Sequence, residues 1–132
     1  MLRVKSLHTV LICEKWEDCV SFYKDVLGFP VLYERERFVE FQVTADARIG
    51  ILRPLHPDAP RPSHDRVILS ICVEDIEAAH AELKARFPGL PAVRKHSWGP
   101  RVFEFRDPEG WRIEFWSPEE CKRILTGFEG AC

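Results

Sequence analysis

Two ionisable side chains, His8 and Glu114, stand in strand-like runs where they could take part in proton transfer. Successive side chains of a strand point to opposite faces, so Glu114 and its alternate neighbours Arg112 and Trp116 are expected to face away from the core. A carboxylate there can act as a general base, and a nearby imidazole can orient or share the proton. Alternatively, His8 is a structural histidine and Glu114 is a charge paired with Arg112, Arg101 or a neighbour across the sheet.

Aromatic side chains near the same positions suggest a wall for a planar ligand. Phe38, Trp98 and Trp116 could supply this wall, and the other interpretation of each is packing within the fold. The sequence shows no glycine-rich phosphate loop, nucleophile elbow or Ser-His-Asp motif.

Composition narrows the class of protein. A chain of 132 residues with 45% apolar and 30% charged residues fits one globular domain. The net charge of -2 and the lack of a basic stripe argue against nucleic-acid binding. We expect a cytoplasmic protein without membrane contact, because no run resembles a signal peptide or a membrane span and the five cysteines form no CxxC pair.

The chain repeats itself along its length. Leu7–Val26 aligns with Val67–Arg86 at an offset of 60 residues, and Arg37–Pro54 aligns with Arg101–Pro118 at an offset of 64. The change of offset places four extra residues in the second copy, after its helix. The repeat makes Glu40 equivalent to Glu104 and Arg37 equivalent to Arg101. Residues matched in this way more often have a structural role in each module than a chemical one.

Each copy predicts a strand, a helix and three short strands. The helix of copy one carries an apolar stripe from Trp16 to Leu27 and stops at Gly28. The helix of copy two begins at an Asp75 N-cap, and Asp107-Pro-Glu-Gly110 predicts a hairpin turn between its last two strands. The segment Ser117-Pro-Glu-Glu120 predicts the start of a final helix.

These patterns predict an α+β fold built from two βαβββ modules, with curved mixed sheets around a cleft and a C-terminal helix. We expect a single domain over 1–132. It comprises module one over about 4–54, a proline-rich linker over 55–66, module two over about 67–118, and the helix over about 118–126.

Two segments give this pattern a family resemblance. FYKDVLGF in copy one and DPEGWRIEFW in copy two resemble the glyoxalase/bleomycin-resistance/dioxygenase superfamily, also called the vicinal-oxygen-chelate proteins. The resemblance extends over roughly Leu7–Pro118, and it is specific for the superfamily but not for any activity within it.

In the metal-dependent members of this superfamily, each module supplies one ligand from its first strand and one from its last. The resemblance places two of these four positions on His8 and Glu114, and the repeat assigns the others to Gly50 and Ile68, whose side chains cannot bind a metal. Three or four protein ligands usually hold a divalent ion. Mg²⁺ or Mn²⁺ can be bound by fewer protein ligands when substrate oxygens complete the coordination sphere. The resemblance therefore leaves no cofactor certain and a divalent metal possible, with half of its ligands present.

The missing ligands favour a protein that binds a small molecule in the cleft between its modules without the full metal site, as bleomycin-resistance-type members do. The alternative is a metal-assisted or acid/base enzyme, a lyase, isomerase or dioxygenase relative that uses His8 and Glu114. A third hypothesis is a regulatory subunit with a vestigial cleft. The residues expected to contact the ligand are Arg112, Trp116, Trp98, Arg101 and Phe38.

The resemblance also predicts the oligomeric state. Modules of this superfamily commonly pair across two chains, so we expect a homodimer in which His8 of one chain approaches Glu114 of the other.

Overall fold

The computed structural model describes residues 3, 5–54, 64, 67–95 and 99–118. The chain divides into two compact units, Met1–Pro62 and Ser63–Cys132, which correspond to the predicted modules and are described one at a time. The expected linker apart from His64, the side chain of Trp98, and the expected C-terminal helix beyond Pro118 lie outside the described residues. The assignment of both modules to a single domain stays a prediction.

Module one has one helical segment and a four-stranded mixed sheet. Strand β1 (Leu7–Ile12) runs parallel to β4 (Ala47–Leu52), and β3 (Phe38–Gln42) lies between β4 and β2 (Val31–Arg35) with antiparallel pairing on both sides. The elements in chain order are β1 (Leu7–Ile12), α1 (Trp16–Ser21), a π-helical continuation (Phe22–Val26), β2 (Val31–Arg35), β3 (Phe38–Gln42) and β4 (Ala47–Leu52).

The predicted apolar stripe of the first helix packs on the sheet. Cys19 and Tyr23 are fully buried, and the Tyr23 ring lies 6.1 Å from that of Phe41 on β3. The sequence pattern does not reveal that the last turn widens into a π-helix, marked by the bond from Leu27 N to the Phe22 carbonyl at 3.0 Å. The helix ends at Gly28, whose φ of 72° any other residue would adopt at a cost.

Module two repeats the arrangement with a longer helix. Strand β5 (Ile68–Cys72) runs parallel to β8 (Arg112–Ser117), and β7 (Arg101–Arg106) lies between β8 and β6 (Arg94–Lys95) with antiparallel pairing. Its elements are β5 (Ile68–Cys72), α2 (Ile76–Arg86), β6 (Arg94–Lys95), β7 (Arg101–Arg106) and β8 (Arg112–Ser117).

Two sequence predictions for module two are confirmed at atomic detail. The Asp75 carboxylate caps α2 by accepting a hydrogen bond from Ala78 N at 3.0 Å. The Asp107 carboxylate organises the last hairpin turn by accepting the backbone N–H groups of Glu109, Gly110 and Trp111 at 2.9–3.0 Å.

The strand register is the same in both modules. His8 pairs with Arg48 in module one, and the repeat-equivalent Ile68 pairs with Arg112 in module two. Likewise Glu40 pairs with Gly50, and its equivalent Glu104 pairs with Glu114. The prediction of an α+β fold with two βαβββ modules is therefore confirmed.

Each sheet has a helix-covered face and an opposite face, here called the open face. Phe41 and Ile51 in module one, and Phe103 and Ile113 in module two, are buried on the helix side. Side chains alternate along a strand, so the residues between these buried ones lie on the open faces. Among them are His8, Val10, Phe38, Glu40, Arg48 and Gly50 in module one, and Ile68, Ser70, Glu104, Arg112, Glu114 and Trp116 in module two. Neither helix that the structure describes has the length and apolar character needed to cross a membrane.

Candidate functional site

The open face of module one centres on the Glu40 carboxylate. Its Oε2 atom lies 2.9 Å from His8 Nδ1, and its Oε1 atom lies 3.7 Å from a terminal nitrogen of Arg48. His8 and Glu40 belong to β1 and β3, the strands on either side of β4, so their side chains meet across β4. Gly50 of β4, directly opposite Glu40, has no side chain to separate them.

The second ring nitrogen of His8 also has a partner. His8 Nε2 lies 2.7 Å from Ser6 Oγ, two residues earlier in the chain. An ionised carboxylate only accepts hydrogen bonds, so the Glu40 contact assigns the proton to Nδ1 and leaves Nε2 as the acceptor from the Ser6 hydroxyl. His8 is thus held in a defined orientation and tautomer.

An aromatic ring covers the position of the missing module-one ligand. A Cβ atom added to Gly50 would lie 2.4 Å from Phe38 Cε1 and 2.6 Å from Phe38 Cζ. The Phe38 ring therefore occupies the space into which a side chain at position 50 would project. The neighbouring Tyr33 ring lies 6.2 Å from that of Phe38, and together they make an aromatic surface on the open face.

Glu114 lies on the open face of module two, as the strand pattern predicts. Its Oε1 atom accepts a hydrogen bond from Ser70 Oγ at 2.9 Å, and Ser70 is the residue directly beside it on β5. Ser70 is thus the neighbour across the sheet that one interpretation of Glu114 expected.

Arg112 pairs with Glu104 instead of Glu114. Its guanidinium donates through Nε to Glu104 Oε1 at 2.8 Å and through a terminal nitrogen to Oε2 at 3.2 Å. These bonds hold the pKa of the Glu104 carboxyl below its ordinary value, so Glu104 is ionised at neutral pH. The sequence left the orientation of this strand open, and the register now places Glu104 opposite Glu114 on the open face.

The remaining predicted site residues lie in different surroundings. Trp116 is half-buried on the open face, between Cys72 and Val102 in the register. Arg101 instead forms an ion pair with Glu77 of helix α2. Ile68 is exposed at the edge strand β5. The parts played by Arg101, Trp116 and Trp98 in ligand binding stay predictions.

The side chains at the four ligand positions do not fit the metal centre that the resemblance implies. Gly50 and Ile68 offer no donor atom, the Phe38 ring lies where a ligand at position 50 would be, and His8 Nε2 is engaged by Ser6. Within the part of the chain that the structure describes, neither His8 nor Glu114 belongs to a group of three His, Cys, Asp or Glu side chains with ligand atoms within 4.8 Å. These four positions therefore do not supply the ligand set of the family's metal centre.

Comparison with known proteins establishes the family. The model of the Glyoxalase/Bleomycin resistance protein/Dioxygenase superfamily matches residues 5–115. The chain belongs to this superfamily. No curated protein sequence matches it.

Solved structures of the superfamily share the fold. The bleomycin-binding protein from Streptomyces verticillus, complexed with copper(II)-bleomycin, is 26% identical, with a TM-score of 0.65 over 91% of this chain and 100% of that one. The antibiotic binding protein TnmS3 from Streptomyces sp. CB03234 is 23% identical, with a TM-score of 0.70 over 90% and 99% of the chains. Lactoylglutathione lyase from Agrobacterium tumefaciens is 16% identical, with a TM-score of 0.67 over 84% and 91%.

Sequence reasoning missed two features of module one, namely the contacts of Ser6 and Glu40 with His8. Glu40 was regarded as part of the module's construction because it recurs as Glu104. Two signals were available: Ser6 stands two residues before His8 on the same side of an extended chain, and Gly50 clears the space beside Glu40.

The close approach of Phe38 to Gly50 predicts an unusual mutational result. Gly50→Ala should lower the free energy of unfolding by about 1–3 kcal/mol, because the new Cβ displaces a ring that already fills the space. In a Phe38→Ala background the same change should cost at least about 1 kcal/mol less, since the obstructing ring is gone. Urea denaturation of the four proteins measures this coupling, and an equal cost in both backgrounds would contradict the proposed packing.

Proposed function

We propose that the protein binds a small organic molecule with a planar aromatic part on the open faces of its sheets, which we expect to line a cleft. The observation that carries this proposal is the Phe38 ring over Gly50, because it puts an aromatic surface where a metal ligand of the family would be. Tyr33 extends that surface, and its ring is exposed to solvent. Stacking on such rings contributes binding free energy without any metal.

The polar residues of the open faces would orient the ligand. In module two we assign this part to Arg112, Glu114 and Trp116, and in module one to His8. Arg112 is already paired with Glu104 and Glu114 with Ser70, so these side chains are held in place before a ligand arrives. Preorganisation of this kind lowers the entropic cost of binding. The antibiotic binding protein and the bleomycin-binding protein that share the fold support a small-molecule ligand.

A second candidate function is acid/base catalysis on the bound molecule, with His8 and Glu114 as the catalytic pair. The observation that favours it is the hydrogen bond from His8 Nδ1 to Glu40, because a carboxylate in this position orients an imidazole as a base. Here Glu114→Gln should preserve binding of the substrate and abolish turnover, whereas for a binding protein the same variant loses only some affinity.

Calorimetric titration tests the binding proposal with two probes, copper(II)-bleomycin and anilinonaphthalene sulfonate. We expect one-site binding of at least one probe, and Phe38→Ala should weaken it about tenfold because the stacking surface is lost. Phe87→Ala removes a half-buried ring from the helix side of module two and serves as the matched control. The proposal fails if neither probe binds, or if both variants weaken binding equally.

We also propose that the protein is a homodimer and that it is located in the cytoplasm. Two edge strands support a dimer, because they present apolar side chains to solvent. On β1, Leu7 is 72% exposed and Val10 48%, and on β5, Ile68 is 40% exposed. Exposed apolar edges of this kind usually pair with another chain or are otherwise covered.

Sedimentation equilibrium tests the dimer. We expect twice the mass of the chain at micromolar concentration, and Val10→Lys should shift the protein toward monomer because it introduces a charge into the apolar edge. Leu32→Lys, on the opposite edge strand β2, is the matched control, since Leu32 has a similar exposure. A wild-type protein that is monomeric throughout would contradict the prediction.

A further inference from the structure

Three side chains of module one form a continuous hydrogen-bonded line. Ser6 Oγ lies 2.7 Å from His8 Nε2, and His8 Nδ1 lies 2.9 Å from Glu40 Oε2. Arg48 approaches the other carboxylate oxygen at 3.7 Å. A hydroxyl, an imidazole and a carboxylate joined in this order are the parts of a nucleophilic relay, in which the base activates the hydroxyl and the acid orients the base.

We propose that Ser6 is a nucleophile activated by His8 and Glu40, and that module one hydrolyses small acyl esters. The two hydrogen bonds fix the roles. Glu40 accepts from Nδ1–H, so the lone pair of Nε2 faces the Ser6 hydroxyl and can take its proton. This is the tautomer that a general base requires.

The line is accessible to solvent at its imidazole and, in part, at its hydroxyl. The Glu40 side chain is only 15% exposed, His8 is 38% exposed, and Ser6 is also partly open to solvent. Val10, two residues beyond His8 on the same face, presents apolar surface that would suit an acyl or aryl group. The orienting carboxylate is therefore shielded, while the hydroxyl is within reach of an ester.

The reaction balances with water as the co-reactant. Ser6 Oγ bonds to the ester carbonyl carbon while its proton passes to His8 Nε2, and the alcohol leaves with that proton as its C–O bond breaks. Water then attacks the acyl-Ser6 carbonyl and gives one proton to His8. As the acyl–oxygen bond breaks, the carboxylic acid departs and Ser6 recovers its proton from His8. Glu40 remains ionised and stabilises the imidazolium formed in each half.

Module two offers an internal comparison, because its described residues include the same strands with a serine bonded directly to a carboxylate. Ser70 Oγ donates directly to Glu114 at 2.9 Å, and the position equivalent to His8 is Ile68. A carboxylate that accepts a serine hydroxyl without an intervening imidazole lacks the oriented base of module one. Ser70 is therefore not expected to react with a probe that labels Ser6.

The test combines covalent labelling with turnover on the full chain. A fluorophosphonate probe should form one adduct, seen by intact-protein mass spectrometry and mapped to Ser6, as fluoride leaves and the hydroxyl proton passes to His8. Para-nitrophenyl acetate should be hydrolysed at a rate that Ser6→Ala, His8→Gln and Glu40→Gln each lower at least about tenfold, since general-base assistance typically contributes a hundredfold or more. Ser21→Ala, which changes an exposed serine at the end of α1, should retain both the adduct and the rate.

The outcomes separate the relay from its alternatives. Absence of an adduct from the wild-type protein overturns the proposal. So does hydrolysis that survives Ser6→Ala but is lost in His8→Gln, because His8 is then itself the nucleophile. Ser6→Ala removes one hydroxyl from a residue outside the strands, and an unchanged melting temperature confirms that the variant is folded.

Discussion

The parallel pairing of the first strand with the last strand in each module is the constraint on which the described site depends. It sets His8 beside Arg48 and, in the same register, Ile68 beside Arg112. A parallel pair needs a long crossover, and the helix with its two following strands supplies it in both modules. Because side chains alternate along a strand, this pairing decides which residues share the open face.

On this common frame the two modules present different chemistry. Each has an arginine facing a glutamate across neighbouring strands, Arg48 with Glu40 and Arg112 with Glu104. In module two the arginine holds both carboxylate oxygens, whereas in module one the glutamate is shared with His8. A glycine at position 50, where module two has Glu114, leaves room for this sharing and for the Phe38 ring.

Much of the fold could be predicted because it follows from local patterns and from the repeat. The Asp75 cap and the Asp107 turn depend on residues within four positions along the chain, and the two repeat offsets reproduce the observed register. The π-helical turn after Ser21 could not be predicted, because an apolar stripe does not distinguish a bond to the fifth residue from one to the fourth.

The site was less predictable than the fold because its contacts join distant parts of the chain. His8 and Glu40 are 32 residues apart and meet only because β4 lies between their strands. Parity places both on one face, but whether they touch depends on the side chain at position 50 and on rotamers that the sequence does not specify. The family resemblance singled out His8, whereas its contacts with Ser6 and Glu40 are visible only in the folded structure.

The most direct test of the central claim, that the metal centre of the family has been replaced, is calorimetric titration of metal-stripped protein with Mn²⁺, Ni²⁺ and Zn²⁺. His8→Ala and Glu114→Gln serve as controls. The account predicts no stoichiometric binding that depends on both residues, because Gly50 and Ile68 supply no ligand and Phe38 fills the space over Gly50. Tight one-to-one binding of any of these ions that is lost in both variants would contradict it.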